Sequence, residues 1–491
     1  MDLWQKFCDM QAEFSKLYHA IAVLSWDQQT YMPVGGSEAR AESLAYLQTL
    51  AHEKLISSKT KDLIYNLEYL KDDPEKGPIY NVVRREYEKA VKIPIALVTE
   101  NAKTTSLAIA FWQEAKQKGD FSIFATHLEK VVTLQRQKAE VIGYDNEPYD
   151  ALIDLYEPGM KTKDVEVIFK QLKEALIPLV MDITARQGKR PDLFNQDYAK
   201  KSQWDLGLKA LQEMGFDFNR GRQDYSEHPF TISFDPSDVR ITTNITTKSF
   251  PSSLYSSMHE GGHALYEQGI PEKWRHLAIG KAASIAVHES QSRMWENIVG
   301  RSKEYLSHLW PHIRTQFALE LQTVDFDSFY QAINWVEPSL IRVNADEVTY
   351  DLHIFIRFEL ERDLLAGKLS VSDLPKAWDE KVESYLGIKV PNPAEGVLQD
   401  VHWAMGSIGY FPTYTLGNVI AAQFYQQARH EIPDLSQNIA VGNLSPLREW
   451  LREKIHQRGS ILLPLQLLEE VCGSTLSVKP YLDYLKEKYL I

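Results

Sequence analysis

Two cysteines in 491 residues, Cys8 and Cys472, leave no material for a disulfide framework or a thiolate metal cluster. Any metal must then be held by histidine and carboxylate. Basic charge is also in short supply: Lys plus Arg number 54 against 67 Asp plus Glu, a formal charge of −13. A surface of that sign repels phosphate backbones and anionic lipid, so neither nucleic acid nor membrane is expected as a partner. Long apolar runs are missing too, none reaching the about 18 residues of a membrane-spanning helix. The first residues carry acids where a secretory signal would place a basic stretch, so the expected location is cytoplasmic.

What is present is apolar material for a large core, 44% of the chain. At about 100 to 200 residues per domain the length suggests several domains. No Ser/Gly/Pro linker, charge block or repeat offers a place to divide it, so the expectation is one domain over residues 1–491. Leu3, Phe7, Met10, Phe14, Leu17 and Ile21 step by three and four, the spacing of one helical stripe. Similar stripes recur at Val167, Ile168, Leu172, Leu176 and Val180 and near the carboxy terminus, which makes the protein mainly α. One segment differs. Phe230, Ile232 and Phe234, then Val239, Ile241, Thr243 and Ile245, alternate with polar residues around Asp235-Pro236-Ser237, which predicts a β-hairpin. Asp238, Arg240 and Thr242 would share its polar face.

His259-Glu260-Gly261-Gly262-His263 reads HExxH. On a helix the two histidines lie one turn apart, so that two imidazole nitrogens can converge on one Zn²⁺. Glu260, turned away from the ligand line, suits a general base that takes a proton from a water at the metal. Each glycine costs a helix interior about 1 kcal/mol relative to Ala, and close approach by another backbone would explain them. A catalytic zinc needs a third protein ligand and an open position. A third histidine six residues after His263 is excluded, because Gly269 stands there. Glu289, in a helix-like stretch with Ile285, Met294, Trp295 and Ile298, is preferred over its neighbour His288.

These segments carry a resemblance. The HExxH run and His288-Glu289-Ser290-Gln291-Ser292, with Asp238-Val239-Arg240-Ile241-Thr242, Ile341-Arg342-Val343-Asn344-Ala345-Asp346 and Gly396-Val397-Leu398-Gln399-Asp400-Val401-His402-Trp403, resemble the thermostable (Taq-type) metallocarboxypeptidase family. The resemblance extends from Trp26-Asp27-Gln28 to the carboxy-terminal helices. It implies a two-lobed helical peptidase with a deep groove, a homodimer, that removes single residues from peptide carboxy termini. It also implies that Glu289 is the third ligand of one zinc per subunit, and Co²⁺ or Mn²⁺ can occupy similar sites. Tyr414 and His402 lie in its motifs as donors for the developing oxyanion, with Tyr410 a near rival of Tyr414. Arg240 and Arg342 are the motif cations that could hold the terminal carboxylate of a peptide substrate, an arginine fork matching two oxygens. Asp346, four residues after Arg342 on a strongly helical run continuing through Val348, Leu352 and Ile356, would orient it. One departure is the loop from Glu272 to Ala283, where Trp274-Arg275-His276-Leu277 replaces an expected Gly-Thr-Pro. That change bears on substrate preference.

An oligopeptidase or dipeptidyl carboxypeptidase with the same metal site is the nearest alternative. A metal-stabilised scaffold without catalysis would lack the base or the third ligand, yet Glu260 and Glu289 are both present.

Overall fold

The apolar stripes fold as helices. In the computed structural model, which describes residues 2–194 and 196–490, the first stripe forms helix Leu3–Thr30, with Phe7 and Met10 in the core and Leu3 left at the surface. The second lies on helix Thr162–Arg186, but its buried line is Val165, Phe169, Leu172, Leu176, Leu179, Val180 and Ile183. Val167 points outward at 57% exposure, because Val165 and Phe169 occupy the inward positions one turn apart. Among the described residues, no helix is long and apolar enough to cross a membrane.

The chain divides into two compact units, each assembled from three stretches. The first comprises Met1–Val91, Pro191–Ile333 and Ile420–Leu476, the second Lys92–Arg190, Asn334–Val419 and Ser477–Ile491.

The expected hairpin lies in the first unit as β2 (Thr231–Asp235) and β3 (Asp238–Thr243), antiparallel, with Asp235 opposite Asp238 at the turn. The Asp235 carboxylate accepts from the Ser237 N–H at 2.8 Å, the local bond that favours aspartate in such turns. A third strand, β1 (Gly221–Tyr225), pairs in parallel with β3, giving the order β1-β3-β2. Val239 and Ile241 of β3 pack with Leu211 and Phe216 and with Ala264 of helix Phe250–Gly269, so the sheet is the floor on which the HExxH helix rests.

In the second unit the structure corrects one expectation. Arg342 and Asp346 do not share a helix: Arg342–Asn344 is a single 3₁₀ turn, and the helix begins only at Tyr350. The Asp346 carboxylate accepts from the backbone N–H of Val348 and Thr349 at 2.9 and 3.0 Å and from the Thr349 hydroxyl at 2.7 Å. A short acid that bonds the backbone just ahead of it competes with helix and favours its start.

Candidate metal centre

The HExxH segment is helical throughout, inside helix Phe250–Gly269, so both glycines are interior. A Cβ on Gly262 would come within 2.7 Å of the Gln291 carbonyl oxygen and the Ser292 Cα. Backbone therefore packs on backbone here, and only glycine allows it. The approaching segment is helix Ile285–Arg293, whose first turn is capped by the Ser284 hydroxyl accepting from the Val287 N–H at 3.1 Å. A Cβ on Gly261 would meet Leu211 and Met214 side chains instead.

This contact delivers Glu289 to the histidines. Its Oε2 lies 3.3 Å from His263 Nε2 and 3.8 Å from His259 Nε2, with one donor atom from each of the three residues within 4.8 Å of the others. Tetrahedral bonds of about 2.0–2.1 Å place neighbouring donors roughly 3.3 Å apart, so the set fits a small divalent ion. His288 takes another place: it contacts Nδ1 of His263 and reaches Glu267 Oε1 at 2.8 Å through Nε2.

The electrostatics suit a bound cation. Glu260, Glu289 and Glu296 are grouped here in buried surroundings, against Arg293 and Arg301. Burial disfavours charge on His259, but Glu289 and Glu296 reverse this and push it up to about 9. His263 is pushed down to about 3 by burial and by His288. Burial also opposes the Glu289 charge, yet His259 and Arg293 hold its carboxyl well below the usual range.

Several participants were not found from the sequence. Glu296 Oε2 is 2.9 Å from His259 Nδ1, the carboxylate–histidine contact that orients metal-binding imidazoles. Its position seven residues after Glu289 was the available signal. The Thr231 hydroxyl of β2 donates to Glu260 Oε2 at 2.6 Å, so the hairpin holds the candidate base. Burial, followed by Glu289 and Glu296, raises the Glu260 pKa over the opposing pull of His259 and Thr231. Arg240 faces Trp26 and Phe234, its guanidinium carbon 4.3 and 4.6 Å from their ring centres, and makes a two-bond pair with Asp238 at 2.9 Å.

Arg342, His402, Tyr410 and Tyr414 belong to the second unit. The partner of Arg342 is Asp400: Nη2 donates to Oδ1 at 2.8 Å and Nε at 3.2 Å, while Nη1 donates to the Tyr350 hydroxyl at 2.6 Å. Arg357, wholly buried, binds the other oxygen of Asp400 through Nε at 2.7 Å. Two guanidiniums thus share one carboxylate. Neither Arg357 nor Asp400 was given a role from the sequence, since they lie 43 positions apart with no local pattern. His402 Nε2 is 3.4 Å from the Tyr414 hydroxyl, and the Tyr410 ring centre is 5.5 Å from that of Tyr414. Burial and the two arginines, against Asp400, push His402 down to about 4, so it is neutral at pH 7. Glu361 fastens this region by accepting from Trp403 Nε1 at 2.8 Å and from the Gly409 N–H at 3.0 Å. Gly409 has φ +92°, and a Cβ there would press on the backbone of Leu152 and Ile153.

The sequence profile of the carboxypeptidase Taq (M32) metallopeptidase family matches residues 6–489. The chain belongs to that family. It is 42% identical to thermostable carboxypeptidase 1 of Thermus thermophilus, with 99% of this chain and 98% of the relative covered. It is 40% identical to carboxypeptidase 1 of Bacillus subtilis, covering 99% and 97%. The crystal structure of the M32 carboxypeptidase of Deinococcus radiodurans superposes with a TM-score of 0.97 at 38% identity, covering 99% of this chain and 98% of that one. The protein is accordingly a metallocarboxypeptidase of mainly helical fold. Within this M32 chain the loop between helix Phe250–Gly269 and helix Ile285–Arg293 is tied down. Gln11 accepts from the Ala278 N–H at 2.9 Å, Arg275 Nε donates to Asp235 at 2.7 Å, and Ile279 enters the core beside Phe7 and Met10.

Proposed function

We propose that this metallocarboxypeptidase removes single residues from the free carboxy termini of peptides, with one Zn²⁺ held by His259, His263 and Glu289 and with Glu260 as general base. The observation that carries the reading is the convergence of those three donors within 4.8 Å beside a carboxylate held by Thr231. Zinc bound there supplies Lewis acidity, lowering the pKa of a water and polarising the scissile carbonyl; Co²⁺ or Mn²⁺ can replace it.

Glu260 takes the water's proton at its carboxylate and returns it to the leaving amine. Burial raises its pKa, which makes it the stronger base. Tyr414 and the neutral His402 donate hydrogen bonds to the oxygen on which negative charge develops. Arg342, in a cluster with one positive charge in excess, holds the terminal carboxylate, with Tyr410 against the substrate side chain. Arg240, already paired with Asp238, has a secondary place along the substrate backbone. A homodimer completes the proposal by family resemblance.

The test uses purified protein, a blocked dipeptide and one longer peptide, with chelator and then single metals restored. Loss of activity with chelator, recovery with zinc and a product ladder shortened one residue at a time are expected. Release of dipeptides, or equal cleavage of amidated ends, would overturn the proposal.

A further inference from the structure

Helix Ile285–Arg293 runs directly into a π-helical turn over Met294–Val299, and Arg293 stands at the junction. Its Nε donates to Glu289 Oε1 at 2.7 Å, and its Nη1 lies 3.5 Å from Glu296 Oε2. That same Glu296 oxygen is 2.9 Å from His259 Nδ1. The three side chains are nearly buried, at 13%, 7% and 15% exposure. An ordinary pair four residues apart on a helix is exposed and joins two groups; this one is buried and joins three, two of them touching the histidine face. Glu289 consequently has one oxygen occupied by the guanidinium and the other turned to both imidazoles.

We propose that Arg293 is a positioning residue that restricts Glu289 to a single ligating oxygen and, through Glu296, fixes the ring of His259. A free carboxylate can offer both oxygens to a divalent ion, which fills the position that water and substrate need. The planar fork of a guanidinium can bridge two carboxylates in a fixed geometry, which the rotatable donors of an ammonium do not impose, while leaving one oxygen of Glu289 free. The inference rests on the ligand set proposed above.

The experiment uses the full-length protein loaded with zinc or with Co²⁺ and reads metal affinity by chelator competition, the visible Co²⁺ spectrum and thermal unfolding. Arg293→Met is expected to weaken zinc binding by about 10- to 100-fold, the range for partners that orient metal ligands. It is also expected to weaken the visible Co²⁺ bands, because additional donors reduce the intensity that a four-coordinate ion shows. Arg293→Lys should recover part of the affinity while keeping the altered bands. A folded Arg293→Met protein with zinc affinity within about threefold of the parent and an unchanged Co²⁺ spectrum overturns the proposal, even if its melting temperature falls. If the methionine variant does not fold, Arg293→Lys decides: unchanged affinity and bands overturn it, and altered bands support it. Glu289→Ala separates the two levels. Zinc binding as tight as the parent's in that variant removes the ligand assignment itself, whereas its loss beside a normal Arg293→Met removes only the role of Arg293.

Discussion

Each compact unit buries a charge cluster built around candidate site residues, and these two clusters have opposite sign. In the first, Glu260, Glu289 and Glu296 outnumber Arg293 and Arg301 around two imidazoles; in the second, Arg342 and Arg357 outnumber Asp400. Uncompensated charge is costly away from water, and surroundings that do not cancel it call for a ligand that does. On the proposed function a cation would complete the first cluster and an anion the second. A peptidase acting at chain ends needs both, a metal at the scissile bond and a fixed positive group for the terminal carboxylate. The comparison also explains why His259 and His402 are driven in opposite directions, up to about 9 and down to about 4. The neighbours, not the residue type, decide.

Four substitutions test this contrast. Glu260→Gln has the largest expected effect, about a 10³-fold fall in kcat with metal content unchanged, read from initial rates and atomic absorption. Substantial remaining turnover would take the base out of the first cluster. Arg342→Met comes next: charge-assisted hydrogen bonds are worth about 1.5–3 kcal/mol, so kcat/KM for free-ended peptides should drop by up to about 10²-fold. The discrimination against amidated ends should vanish, and metal content should stay the same. If the metal is lost instead, the clusters are not separate in function.

Gly262→Ala should part the two ligand-bearing helices, lowering stability by about 1–3 kcal/mol. Zinc affinity should fall by about tenfold, as measured by chelator competition. Normal affinity would show that the backbone contact does not set donor spacing. The smallest effect belongs to Thr231→Val. The hydroxyl favours ionised Glu260, so removing it raises that pKa further and moves the acid limb of kcat/KM to higher pH, by up to about one unit. An acid limb that stays in place would detach the hairpin from the base.

Much of this was legible in sequence where the pattern was local. The HExxH spacing placed both histidines on one helix face, the interior glycines pointed to a close backbone, and the period-two alternation located β2 and β3. Strand β1 was not found, because Gly221-Arg222-Gln223-Asp224-Tyr225 has no apolar alternation and is recognisable only by its pairing with β3. The supposed helix at Arg342 failed for a different reason: apolar spacing continued through the segment, but the Asp346 side chain captured the N–H groups a helix would have used. The Arg342–Asp400–Arg357 triad joins residues far apart in the chain, and only the fold reveals which acid each arginine meets.

The division into two units has a consequence for synthesis. The chain passes from one unit to the other five times, and the first unit still lacks a piece until residue 476 has emerged. The second waits for the segment that begins at Ser477, including helix Lys479–Leu490. Folding one domain at a time from the amino terminus, the usual order during translation, is therefore closed to this polypeptide. Most of it must leave the ribosome before either core can close, and long-range contacts of that kind form slowly. Partly made chains will expose apolar helix faces for the whole elongation time, so yield of active enzyme should depend on chaperone supply and growth temperature more than on the stability of the finished fold.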